Sequence, residues 1–223
     1  MIMKRILVAT LCFMLIVCVG KSQKYRAVMT TDSGKIVIEL FSGTPKHRDN
    51  FIKLARQHFY DGVLFHRVIP GFMIQGGDPD SKHAKPGVML GDGDVGYTIP
   101  AEFRPSYFHK RGALAAARDD NPQKASSGCQ FYIVTGKKFT DTELDKAQAR
   151  SGHTIPDDHR AIYKSIGGAP HLDQNYTVFG QVLKGMEVAD KLVAAKRDKN
   201  DRPLTDEHIQ KIRIRKKILG LWL

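Results

Sequence analysis

Arg67 and Gln75 stand in the stretch FHRVIPGFMIQGGD (65–78), among Phe65, Val68, Ile69, Phe72, Met73 and Ile74. Arginine is charged at every physiological pH and offers only donors, held in a rigid planar fork. Over an apolar floor, such a fork can stabilise electron density that develops on a reacting atom. It needs neither a covalent bond nor a proton transfer to do so. The plain alternative is an edge-strand arginine with its stem on apolar surface and its head in water. Gln75 adds an amide that can hold a substrate backbone or bridge backbone groups inside the fold.

Other chemistries find no matching residues. Gly91-Asp92-Gly93-Asp94-Val95-Gly96 fits G-x-G-x-x-G literally. No buried strand leads into it, Asp92 and Asp94 would repel a pyrophosphate, and Thr98-Ile99-Pro100 does not start a helix. The same loop lacks the remaining carboxylates of an EF-hand. None of the nine histidines falls in a metal-ligand spacing with Cys or carboxylate partners, and most read as surface residues. There is no Gly-x-Ser-x-Gly elbow, and Cys129 lies inside a strand pattern rather than at a helix N-terminus. Neither a cofactor nor a metal is therefore expected. Asn175-Tyr176-Thr177 is a glycosylation sequon, which matters only in a host that glycosylates.

The elements that must position Arg67 and Gln75 read mostly as short strands. Arg26 to Thr31 and Lys35 to Phe41 flank Asp32-Ser33-Gly34, a hairpin signature. Thr44-Pro45 opens a helix with Thr as N-cap and Pro at N1, and Phe51, Leu54 and Ala55 share its apolar face. Val63 to Ile69, Phe72 to Gln75, Ala113 to Ala117, Gln130 to Thr135, Thr177 to Leu183 and His208 to Arg215 read as strands. Glu187 to Ala195 has helical periodicity. Many short strands with two well-separated helices predict a mainly β fold, a closed antiparallel barrel rather than βαβ units. Between about 138 and 169 the composition turns polar and charged, with two helical pieces. It reads as an insertion folded on the same domain.

The 223 residues suit one domain with a real core. Lys4 and Arg5 precede the apolar run Ile6 to Val19, which reads as a signal peptide over 1–23 and is short for a membrane span. An uncleaved anchor, or a lipoprotein acylated at Cys18, are the alternatives. Export to the periplasm or medium is the expectation. Cys12 and Cys18 lie in the leader, so Cys129 alone remains in the body and no disulfide can form there. The net charge is +12, of which three charges belong to the leader. The basic residues gather only at Lys211, Arg213, Arg215, Lys216 and Lys217, alternating with Ile212 and Ile214 as in a strand with one wet face. No nucleic-acid function is expected, and the apolar tail at 219–223 covers a barrel end or binds a partner.

Three stretches together resemble the cyclophilins, the cyclosporin-binding class of peptidyl-prolyl cis-trans isomerases. They are TPKHRDNFIKLARQHFYDGVLFHRVIPGFMIQGGDPD (44–80), GALAAARDDNPQKASSGCQFYIVT (112–135) and HLDQNYTVFGQVLKGMEVADKL (171–192). The resemblance spans about 26 to 215. It implies an eight-stranded antiparallel barrel capped by two helices, with a substrate groove on its outside. By motif, Arg67 matches the catalytic arginine and Gln75 the glutamine that hydrogen-bonds the substrate backbone. Phe72, Met73, Phe131, Tyr132 and Leu172 match the proline pocket and its walls, and Ala117 and Arg118 the segment whose backbone pairs with the peptide. Phe131 and Tyr132 alternate faces, so one of them should line the groove, and register favours Tyr132.

The implied substrates are proline-containing polypeptides, acted on by a monomer. His171 stands where many members have tryptophan, a position that matters for cyclosporin, so weak or no binding of that drug is expected. Tyr176 replaces a pocket histidine, and Tyr132 replaces a phenylalanine and adds a hydroxyl at the pocket wall. Arg118 replaces a common asparagine. The insertion immediately precedes His171 and Leu172, as a flap beside the groove or as a decoration. Two further readings stay open: a binding or chaperone module that uses the groove without turnover, and a basic adaptor for acidic partners.

Overall fold

The computed structural model describes residues 23–223. The leader, with Cys12 and Cys18, lies outside the described residues. The hairpin pairs β1 (Tyr25–Thr31) with β2 (Gly34–Leu40) in full antiparallel register. Alternate residues, Ala27, Met29, Ile36 and Ile38 among them, point to the core.

After helix α1 (Pro45–Arg56) the chain forms β3 (Arg67–Ile69), β4 (Met73–Gly76), β5 (Thr98–Ile99), β6 (Ala113–Ala116), β7 (Ser126–Ser127) and β8 (Phe131–Val134). Then come helices α2 (Asp141–Ser151) and α3 (Asp157–Ser165), strand β9 (Val178–Lys184), helix α4 (Met186–Val193) and strands β10 (Ile209–Ile218) and β11 (Leu221–Trp222). Nine strands make one antiparallel sheet in the order β11-β10-β1-β2-β9-β6-β8-β4-β3. Eight of these form the expected set, and the ninth is the C-terminal tail, folded back as β11 on β10 with the Arg26 guanidinium 4.0 Å from the Trp222 ring centre. The stretch expected as a strand from Val63 splits: only 67–69 pairs with β4. Residues 62–65 instead bond to the start of β10 and the residues just before it, through Gly62 N to Ile209 O (2.8 Å), Phe65 N to Glu207 O (2.9 Å) and a bridge between Leu64 and His208. That bridge ties the β3 side of the curved sheet to its β10 side.

The Thr44 cap differs from expectation. Its hydroxyl makes no capping bond, and Glu102 instead accepts the backbone N–H groups of Lys46 (3.1 Å) and His47 (3.0 Å). A carboxylate is the better partner for the positive end of the helix dipole.

Strands β4, β6 and β8 are buried on both faces. Ile74, Leu114, Ala116, Phe131 and Ile133 belong to the inner core, beside Phe51, Tyr60 and Phe179. Their neighbours in sequence, Met73, Ala113, Ala115, Tyr132 and Val134, face a second apolar cluster outside, with Leu172 and Val178. The period of two explains why both sets are apolar.

The insertion leaves and returns at one point. Gly168 N donates to Lys137 O at 3.0 Å, and a Cβ on Gly136 (φ +61°) would lie 2.6 Å from the Gly168 backbone, so a side chain cannot fit there. Because its ends touch, the insertion adds two helices without spreading the sheet. α2 opens with a capping box between Thr140 and Glu143 and ends at left-handed Gly152. Leu144, Ala147, Ile155 and Tyr163 form the insertion's own small core with Phe108.

Candidate active site

One register row crosses the sheet: Arg67 pairs with Gln75, Gln75 with Tyr132, Tyr132 with Ala115 and Ala115 with Val178. Residues in one row share a face. The turn between β3 and β4 sets Phe72 beside that face, Met73 shares it two residues before Gln75 in β4, and a short 3-10 turn, Pro170–Leu172, brings in His171 and Leu172. The result is a groove of about 300 Å³ lined by Arg67, Phe72, Met73, Gln75, Tyr132 and Leu172, with Ala117, Arg118, Arg150, His171 and Tyr176 around them. All the expected site residues except Phe131 meet there.

Phe131 points the other way. It is 1% exposed and packs edge-on against Phe51 and Tyr60, with ring centres 5.5 Å from each. The alternation of β8 gives the groove face to Tyr132 and the core to Phe131.

The Arg67 side chain is 44% exposed, with Nη1 3.4 Å from Gln75 Oε1 and Nε 3.9 Å from Asp201 Oδ2. Both contacts are long, so most of its donors face the groove and water. The Gln75 amide is oriented by a neighbour that sequence reasoning missed. Gln130 Nε2 donates to Gly91 O (2.7 Å) and Gly93 O (2.9 Å), which can only accept. Its oxygen therefore takes the Gln75 amide N–H at 3.0 Å, and the Gln75 oxygen is left facing Arg67. The glycine loop that mimics a nucleotide motif serves here as the acceptor for Gln130.

Ala117 and Arg118 divide their roles differently from expectation. The Ala117 backbone is already used: its N–H donates to Gln130 O (3.0 Å) and its C=O accepts from Ser127 N–H (2.8 Å). Among the described residues neither the N–H nor the C=O of Arg118 has a hydrogen-bond partner, so a peptide strand could pair there alone. The Arg118 side chain is structural: its guanidinium stacks 4.6 Å from the Tyr176 ring centre, and Nε donates to Asn175 O at 3.1 Å.

The Tyr132 hydroxyl does not stand at the groove wall as expected. It turns inward, because a buried hydroxyl needs a partner. Burial pushes Tyr132 up, so it keeps its proton and donates to His109 Nε2 at 3.0 Å. His109 Nδ1 then donates to Asp173 Oδ1 (2.9 Å), and Tyr163, on α3, donates to Asp173 Oδ2 (2.8 Å). The network runs from the groove floor into the insertion. Its members are far apart in sequence, and only the folded chain assembles them.

His171 lies against Phe72, with ring centres 5.4 Å apart. Burial, with the positive charge of Arg150 nearby, pushes it down to about 4, so it is neutral at pH 7. The expectation that most histidines lie on the surface holds only in part: His47, His66, His109 and His159 are buried, and the other five are exposed or half-buried. Cys129 is buried and its thiol is pushed up to about 11, which makes it a poor nucleophile. Among the described residues no group of three His, Cys, Asp or Glu could hold a metal ion, and no helix is long and apolar enough to cross a membrane.

Comparison with known proteins gives one consistent match. The family described as "Cyclophilin type peptidyl-prolyl cis-trans isomerase/CLD" matches residues 26–214. A Staphylococcus aureus (strain USA300) protein provisionally named a peptidyl-prolyl cis-trans isomerase is 36% identical over 189 residues, covering 84% of this chain and 90% of the relative. A Streptococcus pyogenes protein provisionally named a bifunctional phosphatase/peptidyl-prolyl cis-trans isomerase is 35% identical over 194 residues, and the chain spans 38% of its length. The crystal structure of a cyclophilin-type peptidyl-prolyl cis-trans isomerase from Cryptosporidium parvum superposes with a TM-score of 0.63 at 26% identity, covering 86% of this chain and 96% of that one.

Proposed function

The chain belongs to the cyclophilin-type peptidyl-prolyl cis-trans isomerase family, and from that premise we propose that Arg67 accelerates rotation about Xaa-Pro bonds by donating to the prolyl nitrogen in the groove. Rotation about a peptide bond faces a barrier of about 18–20 kcal/mol, because the nitrogen lone pair is delocalised into the carbonyl. The two Xaa-Pro isomers lie within about 1 kcal/mol, so the difficulty is rate, and uncatalysed exchange takes roughly tens to hundreds of seconds. Twisting the bond returns the lone pair to nitrogen. A donor aimed there stabilises the twisted state more than either planar state, which is the condition for catalysis. A preorganised charged donor in a partly dry groove supplies about 3–4 kcal/mol.

The observation that carries this reading is the location of the Arg67 fork on the same groove as Phe72, Met73, Tyr132 and Leu172. Those side chains hold the pyrrolidine ring. Gln75 and the free backbone of Arg118 hold the chain on either side of the bond that turns. His171 in place of a large indole leaves less contact for cyclosporin, so inhibition by that drug is weak. The basic and apolar start of the sequence supports action on exported clients.

A proline-peptide isomerisation assay on the wild type and Arg67→Ala tests the reading. The wild type accelerates exchange and Arg67→Ala loses most of the effect. A groove that only binds gives no acceleration in either protein.

A further inference from the structure

Arg150 is the one groove-lining residue contributed by the insertion, and the sequence motifs do not point to it. It stands in the last turn of α2, where a cation favours the helix dipole. That accounts for a basic residue there but not for its place on the groove.

The charges around it are distinctive. Arg67, Arg118 and Arg150 line the groove, and none of its lining residues is acidic. Arg118 is held by Asn175 O and Asp119 O and lies 3.5 Å from Asp120, and Arg67 has Asp201 at 3.9 Å. Among the described residues the Arg150 side chain makes no hydrogen bond or ion pair. Its backbone is nevertheless held: the neighbouring Ser151 O accepts from Asn175 Nδ2 at 3.0 Å, and Leu144 and Ala147 anchor α2 in the insertion core. His171, between Arg150 and Phe72, is neutral and offers no competing charge. The adjoining hollow of about 440 Å³ shares Gln75, Ala117 and Arg118 with the groove but carries Asp92, Asp94 and Asp119. The channel is therefore cationic at the Arg150 end and acidic at the other.

We propose that Arg150 is a specificity-determining residue, through which the insertion favours proline peptides bearing an aspartate or glutamate side chain next to the proline. The proposal rests on the groove's being the isomerase site. A partly exposed guanidinium–carboxylate contact is modest, so the preference is a few-fold, and it weakens with salt.

The test uses matched peptides with Glu, Gln or Lys placed either directly before or directly after the proline, and reads kcat/KM for the full protein. The wild type is expected to prefer Glu over Gln by roughly two- to fivefold at one of the two positions, at low salt. In Arg150→Gln the ratio falls to near one, and in Arg150→Glu the preference passes to Lys. A wild-type ratio near one at both positions, or an unchanged ratio in Arg150→Gln, overturns the proposal. Titration of the same peptides reads the same preference as affinity and decides the matter independently of turnover. Absence of wild-type turnover on the neutral Gln peptide counts against the isomerase reading itself.

Discussion

Arg67 and Gln75 face each other across the β3–β4 ladder, with the arginine Nη1 3.4 Å from the glutamine oxygen. The direction of that amide is decided one residue further in, by Gln130. Its two donors are committed to the carbonyls of Gly91 and Gly93. Gln130→Ala releases Gln75 and leaves two carbonyls of the glycine loop without their donor. The expected result is a roughly tenfold loss of kcat/KM through lost positioning. Stability falls by about 1–3 kcal/mol, read by urea unfolding. Unchanged turnover in a folded variant contradicts the positioning role.

The buried chain Tyr132–His109–Asp173–Tyr163 links the groove floor to α3. Tyr163 is 0% exposed, and Tyr163→Phe removes one of the donors to the buried Asp173 carboxylate. A loss of about 1–3 kcal/mol is expected on urea denaturation. Paired with Tyr132→Phe, the two losses are expected not to add, because both act through His109 and Asp173. Strict additivity would show that the network does not act as a unit.

Buried His66 and half-buried His171 contribute to the acid limit. Burial pushes His66 and His171 down to about 4, and among the described residues neither ring nitrogen of His66 has a hydrogen-bond partner. Their ordinary value is about 6.5, so between about 6.5 and 4 the unfolded chain binds more protons than the folded one. Stability is therefore full above pH 6.5 and falls as the pH drops through that window. His66 alone accounts for a loss on the order of 3 kcal/mol by the bottom of it. His66→Phe is expected to flatten the profile between pH 6.5 and 4. An unaltered slope in the variant's unfolding curves rules His66 out as a cause.

His171 also governs the expected drug response. The imidazole covers less of the groove edge beside Phe72 than an indole does, so weak inhibition of the wild type by cyclosporin is the expected outcome. His171→Trp is expected to strengthen inhibition by about tenfold, since burying an aromatic ring contributes a kcal/mol or more. Equal inhibition of the two proteins removes His171 from the explanation.

The parts legible in the sequence are those whose cause is local. The Asp32-Ser33-Gly34 turn, Pro45 at the start of α1 and the alternation in β8 each follow from neighbours in the chain. The groove lining was legible only through the family resemblance: Arg67, Phe72, Met73 and Gln75 sit on one hairpin, but Ala117, Tyr132 and Leu172 come from other elements. What was not legible depends on distant pairs. Glu102 caps α1 in place of Thr44, and Gln130 orients Gln75. The Tyr132 hydroxyl turns from the groove toward His109, and Ala117 spends its backbone on Gln130 and Ser127. Arg150 stands on the groove through α2 of the insertion, a placement that depends on how distant parts of the chain pack. No periodicity or short motif reports such contacts.

If Arg67 stabilises the twisted peptide bond more than the planar one, as proposed, binding and turnover separate. The most direct measurement compares the wild type with Arg67→Ala on one proline peptide, reading affinity by titration and the cis–trans exchange rate at saturation by NMR. A small change in affinity is expected, with a fall of about 10²–10³-fold in the saturated exchange rate. Equal exchange rates in the two saturated proteins would contradict the proposal.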